Sequence, residues 1–282
     1  LLELLDALEE ADTSRRAAQI DKDGNVTLSS EIPAGKPAAE KSAEDGTGES
    51  QPLYMSLNHV MEYYIFAYYF QPATEVRCTD IPYGEYYRTY GQLALSMQKY
   101  NGAKKAYERA IAWNPVDLDA YLGLAEVYKY QNQREKYLTV TKQAYRYCCT
   151  RATMARYYRN MAFYYLSGYE PETARACYQY SNVYYHTENA DSELKYISEA
   201  IQQETPQTDI RAIQKLFDEK QIEPGPDSQT IGIVYKVGEI LLKDGDYKLA
   251  KDCYSIVYDI TQDASAEKLL NELEAAISGS EE

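Results

Sequence analysis

The chain has 282 residues, 26% of them charged and 45% hydrophobic, with 44 acids against 29 bases and a formal net charge of −15. That length suffices for one large domain or two small ones, and the acidic balance argues against a nucleic-acid binder. The mean hydropathy of −0.58 and the absence of any run of 18 apolar residues exclude a membrane-spanning helix. Only 2 His and 5 Cys leave little material for a metal site or a His-based catalyst.

The charge is unevenly placed. Residues 1–52 hold 12 acids and 5 bases, residues 53–187 hold 11 and 15, and residues 188–282 hold 21 and 9, so a basic middle lies between two acidic ends. The five cysteines, Cys78, Cys148, Cys149, Cys177 and Cys253, are odd in number and have no C-x-x-C spacing. Buried free thiols in a reducing, cytoplasmic setting are expected, rather than a disulfide framework or a zinc site. The composition is also lopsided, with 31 Tyr against 4 Phe and 1 Trp.

In chain order, Leu1, Leu2, Leu4, Leu5 and Leu8 form the apolar stripe of a short helix ending near Asp12. Asp23-Gly24 marks a turn between short apolar stretches. A calcium loop is not expected there, because Gln19 and Ser30 would fall at ligand positions that require acids. Pro33 to Pro52 contains no large apolar residue, which predicts a flexible linker, with the folded domain beginning near Leu53. Residues 58–70 predict a helix capped by Asn58, stopped before Pro72, and apolar nearly all round, hence buried on more than one side.

A pattern then recurs. Tyr87-x-x-Tyr90-Gly91-x-x-Ala94 is followed by Ala103-x-x-x-Tyr107, Ala110 and Pro115. Tyr121-x-x-Leu124-Ala125-x-x-Tyr128 begins 34 residues later, and Tyr158-x-x-Met161-Ala162-x-x-Tyr165, with Ala174-x-x-x-Tyr178, begins 37 after that. Val234-x-x-Val237-Gly238-x-x-Leu241 with Ala250-x-x-x-Tyr254 is the fourth copy. Large residues three and four apart build one apolar helix face, and the small residues allow a partner helix to approach closely.

This pattern resembles the tetratricopeptide repeat family, whose period is 34 residues, as found in uncharacterised bacterial proteins of that kind. The resemblance implies an all-α fold of stacked antiparallel helix pairs in a superhelical solenoid, with copies at about 84–117, 118–154, 155–188 and 231–262. Between the third and fourth copies, 189–204 and 209–222 read as a non-standard helix pair, and 264–277 reads as a C-terminal capping helix. Residues 53–282 thus form the repeat domain and residues 1–52 a helix, a turn and a linker.

No catalytic motif is present: phosphate loops, dinucleotide fingerprints and nucleophile elbows are all absent. No catalytic residue, metal ligand or cofactor is therefore expected, and His59 and His186 read as helix-end or surface residues. The resemblance implies instead a groove lined by the first helix of each repeat, which places Arg88, Gln92, Leu122, Tyr130, Arg156, Arg159 and Phe163 as candidate binding residues. From Lys142 to Arg159 there are five bases and no acids. Arg156 and Arg159, three apart, share a helix face with Phe163, a pattern suited to an acidic or carboxylate-bearing protein segment. Family members that grip a terminal carboxylate use a Lys/Asn/Arg clamp. Here Arg88 and Gln92 echo it loosely and Gly123 stands at a clamp asparagine position, so that mode is not expected. The leading expectation is a non-enzymatic interaction scaffold or adaptor. The alternatives are a peptide- or ligand-responsive bacterial regulator and, more remotely, an enzyme without a recognisable motif.

Overall fold

A computed structural model of the chain describes residues 2–12, 16–29 and 52–279. Among the described residues run thirteen helices and four short strands, which places the protein in the all-α class built from antiparallel helix pairs. The chain divides into two compact units, Leu1–Lys136 and Tyr137–Glu282. The linker expected at Pro33–Pro52 lies, Pro52 apart, outside the described residues.

The N-terminal unit begins with α1 (Leu2–Ala11) and a hairpin of β1 (Ala18–Ile20) and β2 (Val26–Leu28). Asp21 Oδ1 accepts the amides of Asp23 and Asn25 at 2.8 and 2.9 Å, and Gly24 takes φ +90°, so the expected turn forms as an Asx turn. Folded structure therefore starts well before Leu53. Ala17 and Ala18 are fully buried, the Ala17 amide donates to the Tyr54 carbonyl at 3.0 Å, and β1 packs on α4 (Tyr100–Trp113).

The all-helical expectation for the chain from Leu53 onward needs correction at two places. β3 (Leu53–Met55) pairs in parallel with β4 (Val76–Cys78), Leu53 opposite Val76. Leu53 and Met55 point inward and are fully buried while Tyr54 between them is half-buried, the alternation of a strand. Between these strands lies α2 (Val60–Phe70), whose N-cap is His59 rather than Asn58. His59 Nδ1 accepts the Met61 amide at 3.1 Å, and Asn58 instead holds the Glu62 carboxylate through its amide and side chain at 2.7 and 3.1 Å. Only Ile65 and Phe66 of α2 are buried, and Tyr63 and Tyr68 are exposed. Burial on several sides does not occur here, because tyrosine rings tolerate a half-wet surface.

α3 (Tyr83–Ser96) packs on α4, and α4 on α5 (Leu118–Tyr130). Tyr107 of α4 fills the space between them. A Cβ on Gly91 of α3 would lie 3.0 Å from its ring, and one on Gly123 of α5 only 2.3 Å. The unit boundary falls inside α6 (Arg134–Tyr145).

In the C-terminal unit α7 (Arg151–Ser167) packs on α8 (Pro171–Tyr184), α8 on α9 (Glu188–Ile201) and on α10 (Ile210–Lys220). Tyr158 sits among Tyr157, Tyr180, Tyr184 and Phe217, with ring centroids 4.9–5.6 Å away. α11 (Ser228–Lys243), α12 (Tyr247–Thr261) and α13 (Ala264–Gly279) stack in succession. Gly245 turns the chain between α11 and α12 at φ +82°, where only glycine is unstrained. Gly238 receives the Tyr254 ring 3.0 Å from where a Cβ would stand, repeating the glycine–tyrosine fit of the N-terminal unit.

Candidate functional site

The five-base run from Lys142 to Arg159 is divided by the fold. Arg151 is structural: its guanidinium donates to the carbonyls of Tyr184 and Val183 at 3.0 and 2.8 Å, and its amide to Asp259 at 2.8 Å. Lys142 and Arg146 are exposed and line a cleft of about 620 Å³ with Tyr145, Tyr157 and the loop from Glu223 to Ser228. Arg156 and Arg159 remain together on α7.

α7 starts at a reciprocal cap between Thr150 and Thr153. Met154, Ala155, Tyr157, Tyr158, Met161, Ala162 and Tyr165 are its buried stripe. Arg156, Arg159 and Phe163 lie off that stripe and are half-buried. Arg159 Nη1 is shut off from solvent and has no hydrogen-bond partner. Burial, reinforced by the Arg156 charge close by, pushes the Arg159 guanidinium below its ordinary value, with the Tyr178 hydroxyl opposing. Asn160 Nδ2 beside it is likewise buried and unpartnered. Phe163 meets Tyr137 edge-on at 5.4 Å. The result is a cationic, partly dry patch with donors in excess of acceptors, edged by aromatic rings.

The other candidates belong to the N-terminal unit. Arg88 is committed to an ion pair, its Nη1 lying 2.8 Å from Asp117 Oδ2, which is 2% exposed. Asp117 also caps α5 through the Ala120 amide, so Arg88 ties α3 to the start of α5. Leu122 is 2% exposed and part of the core. Gln92 is exposed, and Tyr130, 59% exposed, stacks on Tyr100 at 5.5 Å. Sequence pattern singles out Tyr178 as a packing residue but passes over Asn160, because nothing distinguishes a buried polar residue within a helical stripe. Asp117 could have been anticipated as an N-cap ahead of Leu118.

Among the described residues, no group of three or more His, Cys, Asp and Glu side chains could hold a metal ion, and no helix is long and apolar enough to cross a membrane.

Paired helices with small residues at the contacts define an all-α helical-repeat protein. More particularly, residues 84–117 match the tetratricopeptide repeat family model, with the same bounds as the first copy read from the sequence. No curated protein matches the chain. Among solved structures it is similar to one of the APC/C hetero-tetramer Cut9–Hcn1, at 14% identity, covering 70% of this chain and 38% of that one, with a TM-score of 0.40. It is also similar to the TPR2AB domain of yeast Sti1, at 12% identity, covering 69% and 70%, with a TM-score of 0.39. A third similarity is to pilF of Pseudomonas aeruginosa, at 15% identity, covering 71% and 86%, with a TM-score of 0.38. The chain thus spans well under half the length of the Cut9–Hcn1 chain it matches.

Proposed function

We propose that the protein is a non-enzymatic, cytoplasmic interaction scaffold, and that the α7 face of Arg156, Arg159 and Phe163 takes an acidic or carboxylate-bearing segment of another protein. The observation that carries this reading is the dry, unpartnered Nη1 of Arg159 beside a second guanidinium. A buried donor without an acceptor costs free energy, and like charges add to that cost. A carboxylate approaching the half-exposed guanidinia of Arg156 and Arg159 would offset that cost by accepting charge-assisted hydrogen bonds worth about 1.5–3 kcal/mol each. Phe163 supplies an apolar contact. Four buried free thiols suit a reducing compartment.

The test is an acidic-peptide array followed by calorimetry. Arg156→Ala with Arg159→Ala should weaken the selected peptide by about 10- to 100-fold, and affinity should fall with salt. The fold should not suffer, since Arg159→Ala removes an unpaired buried charge. Peptide binding that ignores the double substitution would refute the reading.

A further inference from the structure

The docking of α1 follows its sequence pattern only in part, because carboxylates share the inward face with Leu2 and Leu5. Residues 1–12 contain five acids and no base, and the leucines would ordinarily face the body of the protein. Leu2 and Leu5 are half-buried, but Leu4 is 71% and Leu8 43% exposed, and the side chains of Asp6 and Glu9 are only 18% and 11% exposed. No residue of α1 whose side chain is described is buried. The helix is held by its carboxylates. Glu9 accepts from the Tyr87 hydroxyl at 2.6 Å, Asp6 from the same hydroxyl at 3.1 Å, and Asp12 from the Tyr83 hydroxyl at 2.8 Å. Lys105 reaches Asp6 at 2.6 Å and Arg109 reaches Glu9 at 3.3 Å.

The face that receives α1 belongs to α3 and α4. Two tyrosines of α3 stand fully buried in the core with their hydroxyls directed outward at α1, and two bases of α4 flank them. We propose that this face, Tyr83, Tyr87, Lys105 and Arg109, is a docking surface for acidic helices, with α1 as its resident occupant, displaced by an acidic amphipathic helix of a partner protein. The surface is separate from the α7 face: it lies in the other unit, and it offers hydroxyls and ammonium groups rather than paired guanidinia.

The argument for exchange rests on how α1 is held. A docked element with no buried side chain among those described leans on charged hydrogen bonds and ion pairs, and the one from Lys105, 52% exposed, lies at the rim where salt screens it. Only the short stretch between Asp12 and Arg16 separates α1 from the body, so tethering supplies an effective concentration in the millimolar range, enough to hold a weak ligand in place. An untethered helix with the same carboxylate spacing and a better use of its leucines would compete with it. Its apparent affinity is reduced by the fraction of time α1 occupies the face.

The test uses the full chain and a fluorescent peptide of α1's own sequence, stapled between positions 3 and 7, both of which face solvent. Fluorescence anisotropy should show the Asp6→Asn, Glu9→Gln variant binding this probe at least about tenfold more tightly than the unaltered chain, because the internal competitor is weakened. Adding Lys105→Glu and Arg109→Glu should abolish that binding, and Arg156→Ala with Arg159→Ala should leave it unchanged. Hydrogen exchange of the α1 amides, measured alongside, should speed up in the Asp6→Asn, Glu9→Gln variant. The proposal is overturned if α1 stays as protected in that variant as before, or if it is released with no gain in probe binding. It is also overturned if the Arg156/Arg159 pair, and not Lys105 and Arg109, controls the probe. A dimer formed by exchange of α1 would make a second copy the occupant and equally overturn it.

Discussion

Gly123→Ala tests the packing logic of the repeats. Alanine is the better helix former by about 1 kcal/mol, so propensity alone predicts stabilisation in the middle of α5. The structure predicts the reverse. The new methyl would stand 2.3 Å from two ring carbons of Tyr107 and 2.8 Å from its oxygen, more than 1 Å inside ordinary contact. The ring cannot retreat, because its other side meets α3, where a Cβ on Gly91 would lie 3.0 Å away, and Tyr107 is 2% exposed. Overpacking typically costs about 1–3 kcal/mol, and the tightness of this wedge places the net loss at the upper end, about 2–3 kcal/mol after the propensity gain. Urea denaturation followed by circular dichroism is the assay. Gly232→Ala is the internal control: it lies in α11 with nothing within 4 Å of its added Cβ, so it should gain up to about 1 kcal/mol. If Gly123→Ala matched Gly232→Ala, Tyr107 would not be wedged between α3 and α5.

Burial holds Glu62 above its usual 4.5, and it holds Asp117 above 3.8 against the opposing Arg88 charge. The native state then keeps protons that the unfolded chain has lost, so the contribution of each group falls as pH rises, from about 3.8 for Asp117 and about 4.5 for Glu62, through its raised value. Glu62→Gln should flatten that decline in denaturation midpoints measured from pH 4 to 8; an unchanged slope would count against it. Arg88→Met should destabilise by somewhat less than the about 3–5 kcal/mol of a fully buried broken pair, since Arg88 is 18% exposed, and should steepen the same pH dependence. Thiol titration of the native protein should count one fast thiol, Cys78, which is exposed. Burial pushes the Cys148 and Cys177 thiols up, and Cys253 to about 12, so these should react only after unfolding.

Where periodicity is the message, the sequence was readable. The small residues at Gly91 and Gly238 identified real helix contacts because a 3.6-residue period combined with a missing side chain admits few arrangements. The helices at 189–204 and 209–222 appear as α9 and α10, and the closing helix as α13. What escaped was decided by contacts between distant segments. Leu53-Tyr54-Met55 is too short to carry a period, and its partner lies beyond an intervening helix, so the parallel ladder had no local signature. The leucines of α1 gave the conventional amphipathic reading, yet the partners of Asp6 lie 81 and 99 residues away on α3 and α4. On the candidate site, the guanidinium pair of α7 was legible from spacing. That Arg88 would be consumed by Asp117 depended on the α3–α5 approach, and that Leu122 would face the core depended on how α5 is turned.

Part of the tyrosine excess has a structural cause that joins these observations. A ring seated between two helices reaches the rim of the stack, where connecting loops present carbonyls that no helix satisfies. Phenylalanine would fill the same volume and leave those carbonyls unpaired, at about 1–3 kcal/mol each when buried. Here the Tyr121 hydroxyl donates to the Pro115 carbonyl at 2.9 Å, Tyr158 to Glu223 at 2.8 Å, and Tyr180 to Pro224. The chain thus ties its loops to its core with the residues that build the core. Tyr83 and Tyr87 follow the same plan, but their hydroxyls meet the carboxylates of α1 instead of loop carbonyls. A backbone carbonyl is held in place by its own chain, whereas a carboxylate on a separately docked helix can be exchanged for another. The device that locks loops elsewhere in the protein becomes, at α3, a device for binding an acidic helix.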